Sequence, residues 1–138
     1  MIIDGSNLIM GRVATLAAKK ALYGEKIDIV NCREMYITGK RRFLLFNYHR
    51  KRKMGTPAKG PFMSRMPDRF VRRAVKRMLP YKKPRGREAF ERIMCYAGVP
   101  EKLKGQKMIT LAEANIKKIP NTQYMKVGEI CRLLGGKK

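Results

Sequence analysis

Residues 2 to 30, IIDGSNLIMGRVATLAAKKALYGEKIDIV, are the stretch on which the fold turns. Ile2 and Ile3 run into Asp4-Gly5-Ser6-Asn7, a short apolar strand followed by turn-forming residues. From Gly11 to Tyr23 the apolar period changes. Val13, Leu16, Ala17 and Ala21 fall on one helical face, and Gly24 stands where a C-terminal cap belongs. Ile27 to Val30 is again a short apolar run. Strand, helix and strand in about 30 residues make a βαβ unit, which implies a parallel sheet and a right-handed crossover.

Working outward, Met35 to Ile37 is a further short apolar run that closes on the turn Thr38-Gly39-Lys40. Lys40 to Lys53 is open to two readings, because Phe43-Leu44-Leu45-Phe46 suits a strand or one face of a helix. The three- and four-residue spacing of Phe43, Phe46, Asn47 and Arg50 favours the helix. Met54 to Met66 holds two Gly, two Pro and no apolar period, so it reads as an extended arm. Pro67 then opens a helix at its preferred first position, with Asp68 in the first turn. Phe70, Val71, Ala74, Val75, Met78 and Leu79 cover about half of that helix, and Arg69, Arg72, Arg73, Lys76 and Arg77 cover the other arc.

Leu79-Pro80 ends the helix, Tyr81 to Arg87 reads as a basic turn, and a short helix is expected around Glu88 to Arg92. Ile93 to Tyr96 and Met108 to Leu111 read as short strands, and Val127, Ile130, Leu133 and Leu134 mark a final helix. The expected fold is α/β: a three-layer α/β/α arrangement with a short, mainly parallel sheet of about four strands and a basic extended arm. The 138 residues fit one domain, with a basic segment at about 40–87.

The net charge is +23, from 33 Lys and Arg against 10 acids, yet 44% of the residues are apolar. Such a chain folds, unlike a disordered polyelectrolyte. Residues 40 to 87 carry 18 Lys and Arg against one acid, Asp68, while the other 90 residues hold 15 basic and 9 acidic side chains. Solvated helix faces are usually laced with opposite charges, so this one-sidedness points to a polyanionic partner, nucleic acid first. A membrane is the weaker candidate, since no run nears the roughly 18 apolar residues of a spanning helix. The N-terminus carries an acid at position 4 and no basic leader, so a cytosolic protein is expected. Cys32, Cys95 and Cys131 are scattered and odd in number, which suits buried thiols in a reducing compartment.

Catalytic patterns are missing. Gly55-Thr-Pro-Ala-Lys-Gly60 has the spacing of a phosphate loop, but Pro61 and Phe62 stand where Lys and Ser or Thr are required. No G-x-G-x-x-G follows either early strand. The single histidine, His49, has no local partner to orient it as a base, and neither it nor the cysteines offer metal-ligand spacing. No enzyme, cofactor, metal or small-molecule substrate is expected. A nucleotide-using α/β enzyme would need the complete loop, and a DNA-reading module would need Asn or Gln on the Pro67 helix, which has neither.

GTPAKGPFMSRMPDRFVRRAVKRMLPYKKPRGREAFERIMCYAGVP, residues 55 to 100, closely resembles the central block of the large-subunit ribosomal protein family L-thirteen in its archaeal and eukaryotic form. Ile3-Asp4-Gly5, Met10 to Thr15, Val30-Asn31 and Ile37-Thr38-Gly39 resemble its other markers. The likeness runs from about residue 1 to 111 in family order, with a more variable tail. It implies a parallel sheet between helices and no catalysis. It also implies a structural constituent of the large ribosomal subunit that binds large-subunit rRNA early in assembly, beside neighbouring ribosomal proteins in the cytoplasm. Some eukaryotic relatives also act off the ribosome as RNA-binding translational regulators.

The residues expected to meet RNA are all cationic. Arg69, Arg72, Arg73, Lys76 and Arg77 form a ridge that Lys82, Lys83, Arg85 and Arg87 continue around the turn. Lys40, Arg41, Arg42, Arg50, Lys51, Arg52 and Lys53 line a second approach, and Lys59 and Arg65 belong to an arm expected to be mobile in the free protein. Tyr48, Phe62 and Tyr81 stand among these charges where a base could stack, with core burial favoured for Phe62.

Overall fold

A computed structural model of the chain describes residues 1–120 and 123–136. Its centre is the expected βαβ unit. β1 (Ile2–Asp4) pairs in parallel with β2 (Ile27–Val30), Ile3 opposite Ile29, and α1 (Met10–Leu22) joins them. Val13, Ala14, Ala17, Ala18 and Ala21 give α1 a face of small side chains that can lie close against its neighbours. Lys19 and Lys20 in its last turn suit the negative end of its dipole. Gly24, at φ +97°, turns the chain out of the helix toward β2.

β4 (Ile93–Cys95) adds in parallel to β2, and β5 (Met108–Ile109) adds in parallel to β1, giving the order β4-β2-β1-β5. The α/β class and the four-stranded parallel sheet are those the sequence leads one to expect. Two successive crossovers move the same way across the sheet, which sets their helices on one face. Accordingly α1 packs with α3 (Pro67–Met78) and α4 (Pro84–Glu91). Beneath them Ile3, Ile27, Ile29, Ile93 and Cys95 are buried. On the other face Ile2 is buried, Asp28 half-buried and Met94 exposed, so the two sides are covered unequally.

The run at Met35 forms β3 (Tyr36–Thr38), which leaves the main sheet and pairs antiparallel with β6 (Tyr124–Lys126). Tyr36 and Tyr124 meet edge to face at 5.0 Å. β6 leads directly into α5 (Val127–Leu133), which buries Val127, Ile130 and Cys131, with Leu134 buried just beyond it and Leu133 turned outward. After β3 comes α2 (Arg41–Lys53), a helix as its spacing predicts, which meets α3 through Tyr48 and Phe70 and α5 through Arg41 and Glu129. One hydrophobic cluster, from Ile3 to Leu134, joins the helices to β1, β2, β4 and β6.

Candidate nucleic-acid interface

α3 is two-faced, as its sequence predicts. Pro67, Phe70, Val71 and Val75 are buried, while Arg69 and Arg77 are exposed and make no hydrogen bond or ion pair with described residues. Met78 departs from the predicted apolar arc: it is 44% exposed, with its sulfur 3.5 Å from the Thr15 hydroxyl. The other three cations are engaged within the protein. The Arg72 guanidinium sits 4.6 Å from the centre of the Phe90 ring, Lys76 sits 4.5 Å from that of Tyr81, and Arg73 donates to the Phe62 carbonyl. The predicted ridge of five is therefore split into two free cations and three that also brace the fold.

The spacing that marks α2 as a helix is not that of the face it buries. Leu44 is its buried residue, with Leu45 and Tyr48 partly buried, and the Tyr48 ring packs 5.2 Å from Phe70. Phe43 and Phe46 point outward, 62% and 68% exposed. The cause is helical phase: Leu44 and Tyr48 are four apart on the inner face, so Phe43, Phe46, Asn47 and Arg50 fall on the outer one. Lys40, Arg42, Arg50 and Lys53 are exposed and unpaired among the described residues. Arg41 pairs with Glu129 at 2.6 Å, Lys51 lies 5.4 Å from the Tyr48 ring centre, and Arg52 donates to the Leu134 carbonyl at 2.5 Å.

Residues 54 to 66 form an arm without helix or strand, tied at several points. The Gly60 amide donates to the Thr56 carbonyl at 2.8 Å, and the Lys59 amide to the Thr56 hydroxyl at 3.3 Å. Gly55 holds φ +81°, and a Cβ there would run into the Gly60 carbonyl, so the loop needs glycine at this point. Two amides that a phosphate loop would offer to an anion are thus spent inside the turn. Phe62, for which core burial was favoured, is instead 70% exposed. Arg65 donates to the Gly135 carbonyl at 3.2 Å, so it and Arg52 converge on the C-terminal end of α5, where carbonyls lack helical partners.

Beyond α3, Tyr81, Lys82 and Lys83 are exposed in the turn. The helix that follows begins earlier than predicted, at Pro84, because proline is well suited to a first helical position. Arg85 and Arg87 therefore project from its first turn, where no acid is present, and the positive end of the helix dipole adds to their charge. Gly86 passes so close to the Pro80 carbonyl that any side chain there would collide with it.

Four ion pairs occur among the described residues, Lys20–Glu25, Arg41–Glu129, Arg92–Glu88 and Lys126–Glu34, and one of them involves residues 40 to 87. The flank is positive because little in the fold neutralises it. The cysteines are buried and unpaired, as expected. Burial, then the charge of Asp68, pushes the Cys131 thiol up to about 12, and a hydrogen bond with Cys32, then burial, raises Cys95. Both stay neutral and serve as packing groups.

Fold and charge together define a small basic α/β protein with one strongly cationic flank. The family Ribosomal protein L13 matches residues 1–102, and this chain belongs to it. It is 39% identical over 137 residues to the large ribosomal subunit protein uL13 of Methanosarcina barkeri, covering 99% of this chain and 98% of that one. The uL13 of Picrophilus torridus is 40% identical over 133 residues, 96% and 95% of the two chains. That of Methanocaldococcus jannaschii is 39% identical over 140 residues, 99% and 98%. The likeness thus extends through the tail expected to vary. The family is structural and non-enzymatic.

Proposed function

We propose that this chain is a structural constituent of the large ribosomal subunit that binds and stabilises folded large-subunit rRNA, early in assembly and in the cytoplasm. The chain acts as one domain, with residues 40 to 87 as its RNA-binding segment and neighbouring ribosomal proteins as its other partners. The observation that carries this reading is the cationic flank, where Lys40, Arg42, Arg50, Lys53, Lys59, Arg69, Arg77, Lys82, Lys83, Arg85 and Arg87 stand exposed and without acidic partners. Phosphates are the ligand that such a surface fits, Arg gripping them bidentately and Lys as a point charge. Arg41, Lys51, Arg52, Arg65, Arg72, Arg73 and Lys76 hold the frame and add to its field.

The major groove of an RNA helix is too deep and narrow for side chains to read, so such a surface reads shape and backbone rather than sequence. The test is competition among transcribed large-subunit rRNA, small-subunit rRNA and duplex DNA, with order-of-addition reconstitution for the timing. Preference for the large-subunit rRNA and entry before other proteins are expected. Equal binding to all three polyanions would reduce the reading to charge alone.

A further inference from the structure

Phe43, Phe46, Met54 and Phe62 form the part of the cationic flank that phosphate binding does not explain. Phe43, Phe46 and Arg50 follow one another at helical spacing along the outer side of α2. A concavity of about 390 Å³ lies beside them, lined by Phe46, His49, Arg50, Lys53 and Met54. A second, of about 240 Å³, begins at the same Lys53 and Met54 and continues along the arm to Phe62. The two hollows share a wall, so the exposed rings of α2 and the arm belong to one surface. No acid lines either hollow.

Large exposed rings cost solvation, and a patch of them marks an interaction surface. The charges around the rings select the occupant. A protein helix docking here would lay its apolar face beside Arg50 and Lys53, and nothing on this side would answer its own cations. An unpaired stretch of RNA offers both halves of the match: a phosphate chain for the cations and a π-face on every base for the rings.

Resting on the rRNA-binding reading above, we infer that Phe46 and Phe62, with Phe43 and Met54 beside them, form a stacking platform for splayed-out bases of a single-stranded RNA segment whose phosphates are held by Arg50 and Lys53. The Gly55 to Gly60 turn presents Phe62 in advance, since the Gly60 amide bond to Thr56 and the Arg73 bond to the Phe62 carbonyl fix the backbone on both sides of it. Preorganisation of this kind lowers the entropy lost when a base arrives.

The chain has no tryptophan, so Phe46→Trp or Phe62→Trp in the full-length protein introduces a single indole reporter. The probes are a short oligoadenylate, a blunt RNA duplex of equal phosphate count and transcribed large-subunit rRNA. Quenching of the indole by the oligoadenylate and by the rRNA, but not by the duplex, is expected. Phe46→Ala with Phe62→Ala should weaken oligoadenylate binding by about 5- to 150-fold per ring while leaving duplex binding unchanged. Arg50→Ala with Lys53→Ala should weaken both. Retained affinity in the alanine pair and an unquenched indole, with salt-sensitive binding of duplex and rRNA intact, would overturn the platform and leave the rRNA reading standing. The same is true if the rings become covered only when other ribosomal proteins are added. Failure of the unmodified chain to bind any of the three RNAs would overturn both.

Discussion

The sheet with α1 and the segment from α2 through the arm solve the same problem by opposite means. In the first, Ile3, Val13, Ile27, Ile29 and Ile93 are wholly buried, and cohesion comes from removing apolar surface from water. In the second, α2 buries a single residue, Leu44, and the end of α2 and the arm are tied by Arg52 and Arg65, whose guanidinium groups reach across the fold to Leu134 and Gly135. A cation that braces a helix end is less free to grip a phosphate. Counting Lys and Arg would therefore overstate how many of them are free for an anionic partner, and the structure separates free cations such as Arg69 and Arg77 from braces such as Arg52 and Arg73.

The contrast can be broken most forcefully by salt. If the flank neutralises about six to ten phosphates, affinity for rRNA should fall by roughly 10³ to 10⁵ between about 50 and 200 mM salt, while the melting temperature of the free protein moves little. A flat titration curve would show that the flank is not an electrostatic surface. Next in size is the two-faced helix. Val71→Ala or Val75→Ala should cost about 1.5–3 kcal/mol of stability through lost burial and a cavity, read by denaturant melts. Arg69→Ala with Arg77→Ala should leave the melt in place and weaken RNA binding.

Smaller still is the brace. Arg52→Ala should cost about 1 kcal/mol and raise the rate at which a protease cuts between residues 54 and 66. A cutting rate equal to that of the unmodified protein would mean that the arm is held without it. The least effect concerns Asp4, at the end of β1. Its burial favours the neutral carboxyl, but hydrogen bonds from Asn31 and Ser6 outweigh this and hold it below the ordinary value of 3.8. A lowered folded value means that its contribution is present above the unfolded pKa and is lost as pH falls through the folded one. Asp4→Asn should therefore melt earlier at neutral pH, and the gap should close below about pH 3.8. A gap unchanged by acid would place the loss in packing.

Local pattern made the βαβ unit and α3 legible, because Val13, Ala17 and Ala21, or Phe70, Val71 and Val75, settle their own faces by spacing alone. It also indicated a helix at Lys40 to Lys53, but left its phase open, since Phe43-Leu44-Leu45-Phe46 offers two apolar faces and a distant ring, Phe70, determines which one turns inward. The outward rings were readable only as Phe residues bracketed by unneutralised cations, a signal that burial would also produce. β6 was missed because Tyr124-Met125-Lys126 is too short to show a period and is defined by pairing with β3. The braces at Leu134 and Gly135 span 82 and 70 residues, and no local pattern encodes such a contact.

That separation also has a meaning in time. Arg52 emerges during synthesis 82 residues ahead of the carbonyl it will hold, and Arg65 emerges 70 ahead of its own. At about 5–20 residues per second, Arg52 precedes its partner by roughly 4–16 s. Its guanidinium group is unclaimed over that interval, and so is that of Arg65 once it has emerged. The end of α5 therefore bears on timing as well as on fastening: its arrival claims these two guanidinium groups and leaves the free cations of the flank to meet a polyanion.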